Sequence, residues 1–378
     1  MSRVAVNEDV LRWAIERAGL TPERLHQPKF PIQEWLSGAT QPTVAQLQKL
    51  AKKTLTPFGY LFLSKPPVER LPIEHFRTIA DSTPARPSPE LLATVWAMQR
   101  RQSWMRDYLM DKGEAPLPFV ASARVGDRVE AVAGRMRAAL GLADGWAARQ
   151  RTWEDALRVL REAMDATGVL VVVNGILGNN THRGLDVKEF RGFVLVDEYA
   201  PLAFVNGSDS KAAQMFTLGH ELAHVFFGSS AAFDLRDMQP ANNETERACN
   251  QVAAEFLVPA DELREGWIPD QDIGSALQTM ARHFKVSEIV VALRALHLAL
   301  LGREAFDRFY ADYEARVKQA TAPVIRGGDY YRNQNLRIGR RFGSAVVDAV
   351  ANNELLYSEA FELTGLSGKT FTRYAGTL

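Results

Sequence analysis

The chain has almost no cysteine, no excess charge of either sign and no long apolar run. Cys249 is the one cysteine among 378 residues, which excludes a disulfide framework and fits a reducing compartment. Lys plus Arg and Asp plus Glu both number 45, so the net charge of zero does not favour a general nucleic-acid or membrane-surface binder. No apolar run approaches the ~18 residues of a membrane span, and no signal-peptide pattern is present. We therefore expect a soluble, cytoplasmic protein.

A length of 378 residues exceeds the usual size of a single core, so several domains are expected. The patterns predict an α+β fold that is mostly α. Four regions are predicted: a module of short helices (1–65), a linker with a long helix (66–125), a core with a small sheet (126–300) and a mostly helical extension (301–378).

The most specific pattern is His220-Glu221-Leu222-Ala223-His224, within the run FTLGHELAHVFFG at residues 216–228. Histidines four residues apart project from one face of an α-helix and can bind one Zn²⁺. Glu221 then stands where it can take a proton from a water that the metal activates. The apolar context predicts a buried helix, with Thr217 as a cap near its start. The alternative is an amphipathic helix with two partly buried histidines, but buried polar groups need partners.

A third ligand is predicted from the run ETERACNQVAAEFLVP at residues 244–259, whose apolar spacing indicates a second helix that Pro259 ends. Glu246 and Asn250 are four residues apart on one face, together with small residues such as Ala253. Small residues let two helices approach closely. Catalytic zinc sites take three protein ligands and leave one position for water. The predicted ligand set is His220, His224 and Glu246.

These two runs resemble the ImmA/IrrE family of bacterial metallopeptidases, whose pattern reads roughly FTLAHELAH, then E-x-x-A-N-x-F-A-A-x-L-L-M-P. The resemblance implies zinc ligation by His220, His224 and Glu246, with Glu221 as the catalytic glutamate. Cys249 and Val252 stand where the family usually has alanine and phenylalanine, which are conservative core exchanges. The likeness extends over residues 190–221 and 277–298. It implies a zincin-like core around the HExxH helix.

The N-terminal residues 4–63 carry the caps and stripes of five short helices. Around WLSGATQPTVAQLQKLAK they resemble the XRE-type helix-turn-helix domain. The helix that would enter the major groove, PIQEWLSG, offers Gln33 as a contact to bases but no Arg or Lys. Residues 1–65 hold nine basic and five acidic residues, a balance of +4 that is mild for a DNA-binding domain. DNA binding and a degenerate module used for protein contacts both remain open.

The central region predicts a short sheet. Residues 168–174, 189–197 and 201–206 read as strands, with a polar loop between the first two. Proline-rich stretches at 65–78 and 80–90 indicate a connector, followed by a long helix at 89–112 and a helical tract at 126–165. The segment 118–122 reads as extended.

Four further residues are weaker candidates for the predicted metal site. Asn250 lies one turn from Glu246 and is predicted to orient a ligand, since metal ligands need partners. His182, in the polar loop, belongs to no helix-spaced pair, and His283 and His297 are single histidines in helical tracts. We interpret these three as structural or surface residues.

The C-terminal segment predicts a turn at Gly327-Gly328 and helices near 337–351 and 357–364, the last ended by Gly365. The run GGDYYRNQNLRIGRRFG is basic and aromatic. It fits an acidic partner or nucleic acid, but a structural extension of the core is favoured.

The predicted function is a zinc-dependent endopeptidase that cleaves a regulatory protein. The family resemblance implies a repressor, often of helix-turn-helix type, as substrate. DNA bound through the N-terminal module and a toxin encoded nearby are further predicted partners, and no membrane is. The alternative is a non-proteolytic regulator or antitoxin-like protein that uses the peptidase fold as a scaffold for binding.

Overall fold

The structure, a computed structural model, describes residues 3–69, 87–229, 231–233, 244–268, 272–319 and 330–378. Most of the proline-rich connector and the predicted turn at Gly327-Gly328 lie outside the described residues. The fold is mostly helical with a small sheet, as the predicted α+β class requires. Contacts divide the described residues into two compact units, one up to Ala97 and one from Met98. No described helix is both long and apolar enough to cross a membrane.

The first unit is built from short helices whose starts are set by local caps. Thr21 accepts from Arg24 N with Pro22 in the first helical position, and Thr43 forms a capping box with Gln46. The last predicted helix is a 3₁₀ helix. The elements are α1 (Glu8–Arg17), α2 (Pro22–Leu25), α3 (Ile32–Leu36), α4 (Val44–Thr54) and the 3₁₀ helix Phe58–Phe62. Their inward faces form one buried cluster that includes Leu11, Trp13, Ile32, Trp35 and Leu47.

The second unit holds the sheet. Its strands lie in the order β1-β5-β4-β6; β1 and β5 are parallel, β4 is antiparallel to β5, and β6 is antiparallel to β4. A separate hairpin is formed by β2 and β3. The strands are β1 (Leu170–Asn174), β2 (Ile176–Leu177), β3 (Asn180–Gly184), β4 (Gly192–Leu195), β5 (Leu202–Asn206) and β6 (Ala231–Phe233).

Helices surround this sheet and supply the main core, which includes Met136, Leu160, Leu222, Phe226 and Phe256. The helices, the first of which begins in the first unit, are α5 (Pro89–Asp111), α6 (Val129–Ala139), α7 (Trp153–Ala166), α8 (Lys211–Phe227), α9 (Glu244–Leu257), α10 (Ala260–Gly266), α11 (Ile273–Phe284), α12 (Glu288–His297), α13 (Arg303–Gln319), α14 (Tyr330–Ile338), α15 (Arg340–Ala351), α16 (Tyr357–Thr364) and α17 (Gly368–Ala375).

Several predicted elements differ from the structure. The tract 126–165 is two helices, because the chain turns after Gly141, which has φ +62°. The predicted polar loop contains the β2–β3 hairpin, whose second strand is largely exposed and so lacks an alternating apolar pattern. Gly339, at φ +87°, separates α14 from α15 inside the helix predicted at 337–351. Gly365 ends α16 as predicted.

Candidate metal centre

The HExxH run lies in α8, a helix buried along almost its whole length. It begins at Ser210, whose Oγ accepts from Ala213 N at 3.2 Å, and ends at Gly228 with φ +71°. The prediction of Thr217 as a cap is wrong: this residue lies inside the helix, where its hydroxyl donates to Ala213 O at 3.0 Å. The apolar residues upstream of the motif thus extend the helix by almost two turns. The motif therefore sits in the rigid interior of α8 rather than at its start.

The end of α8 is held by a segment far away in sequence. Ala121 N donates to Val225 O at 3.0 Å, and Ala123 N donates to Phe226 O at 2.9 Å. Carbonyls in the last turn of a helix lack intrahelical partners, so these bonds satisfy them. The prediction of an extended stretch at 118–122 is wrong, because residues 118–121 form a turn. This turn fixes the position of the helix that carries the histidines.

Helix α9 packs closely against α8. A Cβ placed on Gly219, the residue before His220, would lie only 3.2 Å from Leu257 Cδ1. Ala253 of α9 is fully buried in the same core. The contact brings the first turn of α9, which carries Glu246, up to the histidines of α8.

The three predicted ligands converge in space. His220 Nε2 and His224 Nε2 are 3.0 Å apart. Glu246 Oε2 lies 3.3 Å from His220 Nε2, and Glu246 Oε1 lies 3.3 Å from His224 Nε2. Within the described residues, this is the group of His, Cys, Asp or Glu side chains arranged to hold one metal ion. Two imidazole nitrogens and a carboxylate are the donor types that zinc takes.

The charge states of the donors also suit a metal. Burial lowers the pKa of His220 to about 4, so its ring is neutral at physiological pH and has a lone pair to offer. Burial alone would raise the pKa of Glu246, but the hydrogen bonds from His220 and His224 outweigh it and lower that pKa overall. The site therefore presents two imidazoles and one ionised carboxylate.

Glu221 lies beside these donors with no exposed surface. Burial, and then the charge of Glu246, raise its pKa well above the ordinary value for a glutamate. Among the described residues, neither of its carboxylate oxygens has a hydrogen-bond partner. Such a buried carboxyl stays protonated unless positive charge lies near it. A divalent cation held by His220, His224 and Glu246 would supply such a positive charge beside Glu221.

Two further residues of α9 lie beside the donors. Asn250 contributes to raising the pKa of His220, against the larger effect of burial, and its role as an orienting partner stays a prediction. Cys249, one residue earlier, is fully buried, as expected of a core exchange. Burial raises the pKa of its thiol, with the charges of Glu246 and Glu221 as further causes.

The remaining candidates lie elsewhere. His182 is exposed on the β2–β3 hairpin, and His283 faces Glu262 with Nε2 3.7 Å from Oε2. His297, the last residue of α12, is exposed. In the first unit, Gln33 is exposed on α3. None of the four joins the His–His–Glu group.

Sequence reasoning missed one feature next to the site and one farther along α9. Gly192 of β4 lies so close to α8 that a Cβ there would meet Thr217 Cγ2 at 2.5 Å and Glu221 Oε1 at 3.2 Å. Glu255 of α9 forms a buried ion pair with Arg294, which also donates from Nε to Val258 O at 3.2 Å. A glycine at a strand start was the one available signal for the first feature, and a charged residue within an apolar helix face for the second.

Comparison with known proteins agrees with this geometry. Residues 177–296 match the model of the IrrE N-terminal-like domain, Peptidase_M78. Residues 338–377 match a domain of unknown function, DUF8813. No curated protein matches the chain. The first match spans both metal-site helices and implies a metal cofactor and a protein substrate. Residues 177–296 are therefore similar to an IrrE-type metallopeptidase domain, and the match supports the ImmA/IrrE family for this chain.

Proposed function

We propose that the protein is a zinc-dependent endopeptidase. The observation that carries the proposal is the convergence of His220, His224 and Glu246 beside the buried carboxyl of Glu221. Three protein ligands with a neighbouring carboxyl are what a metallopeptidase needs. The family match at residues 177–296 supports the same class of enzyme.

In this proposal His220, His224 and Glu246 hold Zn²⁺, and Glu221 moves the proton. When bound, the metal supplies Lewis acidity that polarises the scissile carbonyl and makes a water more acidic. Glu221 accepts the proton of the attacking water and returns it to the amine that leaves. Burial and the charge of Glu246 both raise the pKa of Glu221, which makes its carboxylate a stronger base for this proton.

The proposed substrate is a regulatory protein, namely a repressor of helix-turn-helix type. Support comes from the family resemblance and from the XRE-like pattern of the first sixty or so residues. A toxin encoded nearby is a further proposed partner on the same basis. Cleavage of such a repressor would change the transcription of its target genes.

The test separates metal binding from hydrolysis. Glu221→Gln should keep stoichiometric zinc, because Glu221 is not a ligand, and should lower the cleavage rate by roughly 10²–10⁴-fold. His220→Ala should lose the metal as well as the activity. Metal content is measured by elemental analysis, and cleavage is measured on a panel of helix-turn-helix repressors.

Two matched controls exclude general damage. Glu265→Gln changes an exposed glutamate of α10, and His283→Ala removes a half-exposed histidine of α11; both should behave as the wild type. Full activity in Glu221→Gln would refute the role given to Glu221. A metal-free wild type would instead favour the scaffold alternative, in which the protein acts by binding alone.

A further inference from the structure

Strand β4 passes directly over the residue proposed as the proton carrier. Gly192, its first residue, leaves no room for a side chain between β4 and the turn of α8 from Thr217 to Glu221. All four residues of β4 are buried. Strand β4 is therefore the strand whose main chain lies against the proposed site.

One edge of β4 pairs with β5, and the other edge pairs with β6. Strand β6 has three residues and follows closely on Gly228, the end of α8. It runs antiparallel to β4 in the register Gly192↔Phe233, Phe193↔Ala232 and Val194↔Ala231. The pairing with Gly192 places the end of β6 level with Glu221.

A buried strand edge needs hydrogen-bond partners for its N–H and C=O groups. An extended peptide can supply the same main-chain bonds, which is how peptides add to sheet edges in general. The edge of β4 beside Glu221 is therefore suited to an extended peptide, and β6 already fills it. A three-residue strand offers few such bonds, so it is a weak competitor for a longer segment.

We infer that β6 is a built-in competitor of the substrate, so that the substrate must be an extended segment that displaces Ala231–Phe233 from β4. This inference rests on the proposed peptidase function, because that function makes the bound peptide a substrate. The binding test below does not depend on that function. It predicts that β6 limits substrate binding by the intact chain. Weakening the hydrogen bonds between β4 and β6 should therefore let a substrate reach the edge of β4 more readily. It also predicts that segments folded as helices are not cleaved until they unfold.

The test uses two neighbouring proline variants of the full chain. In an antiparallel pair, the N–H groups of successive residues point to opposite edges, so Ala231→Pro and Ala232→Pro cannot both remove a bond to β4. Slow amide exchange in the wild type identifies which N–H is bonded to β4. The proline at that position is the test variant, and the other is its matched control.

Both prolines are placed in the Glu221→Gln background, which binds but does not hydrolyse. The readout is the affinity for β-casein, an unfolded protein, so it does not depend on peptidase activity. The test variant should bind at least tenfold more tightly, and the control should bind as the parent does. Equal or weaker binding by the test variant, or no binding by either, overturns the inference.

The same prolines in the active chain give a second readout. Cleavage of β-casein should rise by a similar factor in the test variant alone. Tighter binding without cleavage in any variant would support the competitor role of β6 and refute the peptidase proposal. A fall in affinity confined to the control would show that peptides add to the outer edge of β6, which contradicts the inference.

Discussion

At the scale of single residues, the donor set decides which ion the site prefers. His220 contributes a neutral imidazole because burial lowers its pKa to about 4, and Glu246 contributes a carboxylate. Nitrogen donors favour zinc and similar transition metals, whereas Mg²⁺ and Ca²⁺ prefer sites made of oxygen. Two imidazoles against one carboxylate therefore argue for a zinc-like ion.

Asn250 gives the first residue-scale prediction. It lies one turn from Glu246 on α9 and is one of the groups that raise the pKa of His220, so we expect it to orient a ligand, and groups that do so contribute strongly to metal affinity. Asn250→Ala should weaken zinc binding by roughly 10–100-fold. Competition with a chromophoric chelator measures this affinity. Gln251→Ala, an exposed neighbour on the same helix, should leave the affinity unchanged, and equal affinities for both variants would contradict the assignment.

The sequence predicts the individual donors better than their arrangement. The spacing of His220 and His224 follows from helical geometry alone. The approach of Glu246 depends on the contact of α9 with α8 at Gly219, which no local pattern reveals. The raised pKa of Glu221 likewise follows from burial by segments distant in the chain.

At the scale of elements, caps were predictable and long-range pairing was not. Thr21, Thr43 and Gly365 mark helix ends through local chemistry, and the structure has those ends. The turn at 118–121 is held by carbonyls of α8, so the prediction of an extended segment at 118–122 from its apolar sequence is wrong. Strand β6 is too short to show any alternation, and its conformation comes from pairing with β4.

The crossing of β4 over α8 gives the element-scale prediction. A methyl group at Gly192 would lie 2.5 Å from Thr217 Cγ2 of α8 and 2.8 Å from the backbone oxygen of Phe204 in β5. Strand β4 or one of these neighbours must therefore shift to make room. Gly192→Ala should lower the free energy of unfolding by about 1–3 kcal/mol, as overpacking does. Thermal melting of the full chain shows this as a lower Tm.

Gly134 is the matched control for this change. It lies inside α6, and a Cβ there meets nothing within 4 Å. Gly134→Ala should be neutral or stabilise by up to ~1 kcal/mol, because alanine favours the helix. If Gly192→Ala melted like Gly134→Ala, β4 would not be packed on α8 as described.

At the scale of the whole molecule, both matched regions lie in the second unit. Arg101 of α5 is buried there and donates to Arg337 O at 2.8 Å and to Leu363 O at 2.9 Å, at the ends of α14 and α16. A cation at two helix C-termini is favourable. These contacts join α5 to the C-terminal helices, and the structural role favoured for this segment from its sequence stays a prediction.

The short helix α3 and the zero net charge of the whole chain indicate that the chain reads DNA poorly, although residues 1–65 carry a mild excess of +4. Helix α3 has five residues, of which Ile32, Trp35 and Leu36 are buried, so it offers bases little beyond Gln33. A chain of zero net charge adds no general attraction for phosphate. We expect duplex binding no tighter than ~10⁻⁴–10⁻⁶ M at physiological salt, the range of non-specific contacts. Fluorescence anisotropy over a salt series measures it.

Two variants separate base reading from charge. Gln33→Ala should leave the affinity unchanged, whereas the triple variant Lys49→Ala/Lys52→Ala/Lys53→Ala removes three exposed cations and should weaken any binding and flatten its salt dependence. A base contact contributes about 1–3 kcal/mol of discrimination, so a specific reader would lose roughly 5–150-fold on Gln33→Ala. Nanomolar binding with that loss would make the first unit a DNA-reading domain. Without specific DNA binding, the exposed surface of α3 is available to contact a protein, as the proposed recognition of a repressor requires.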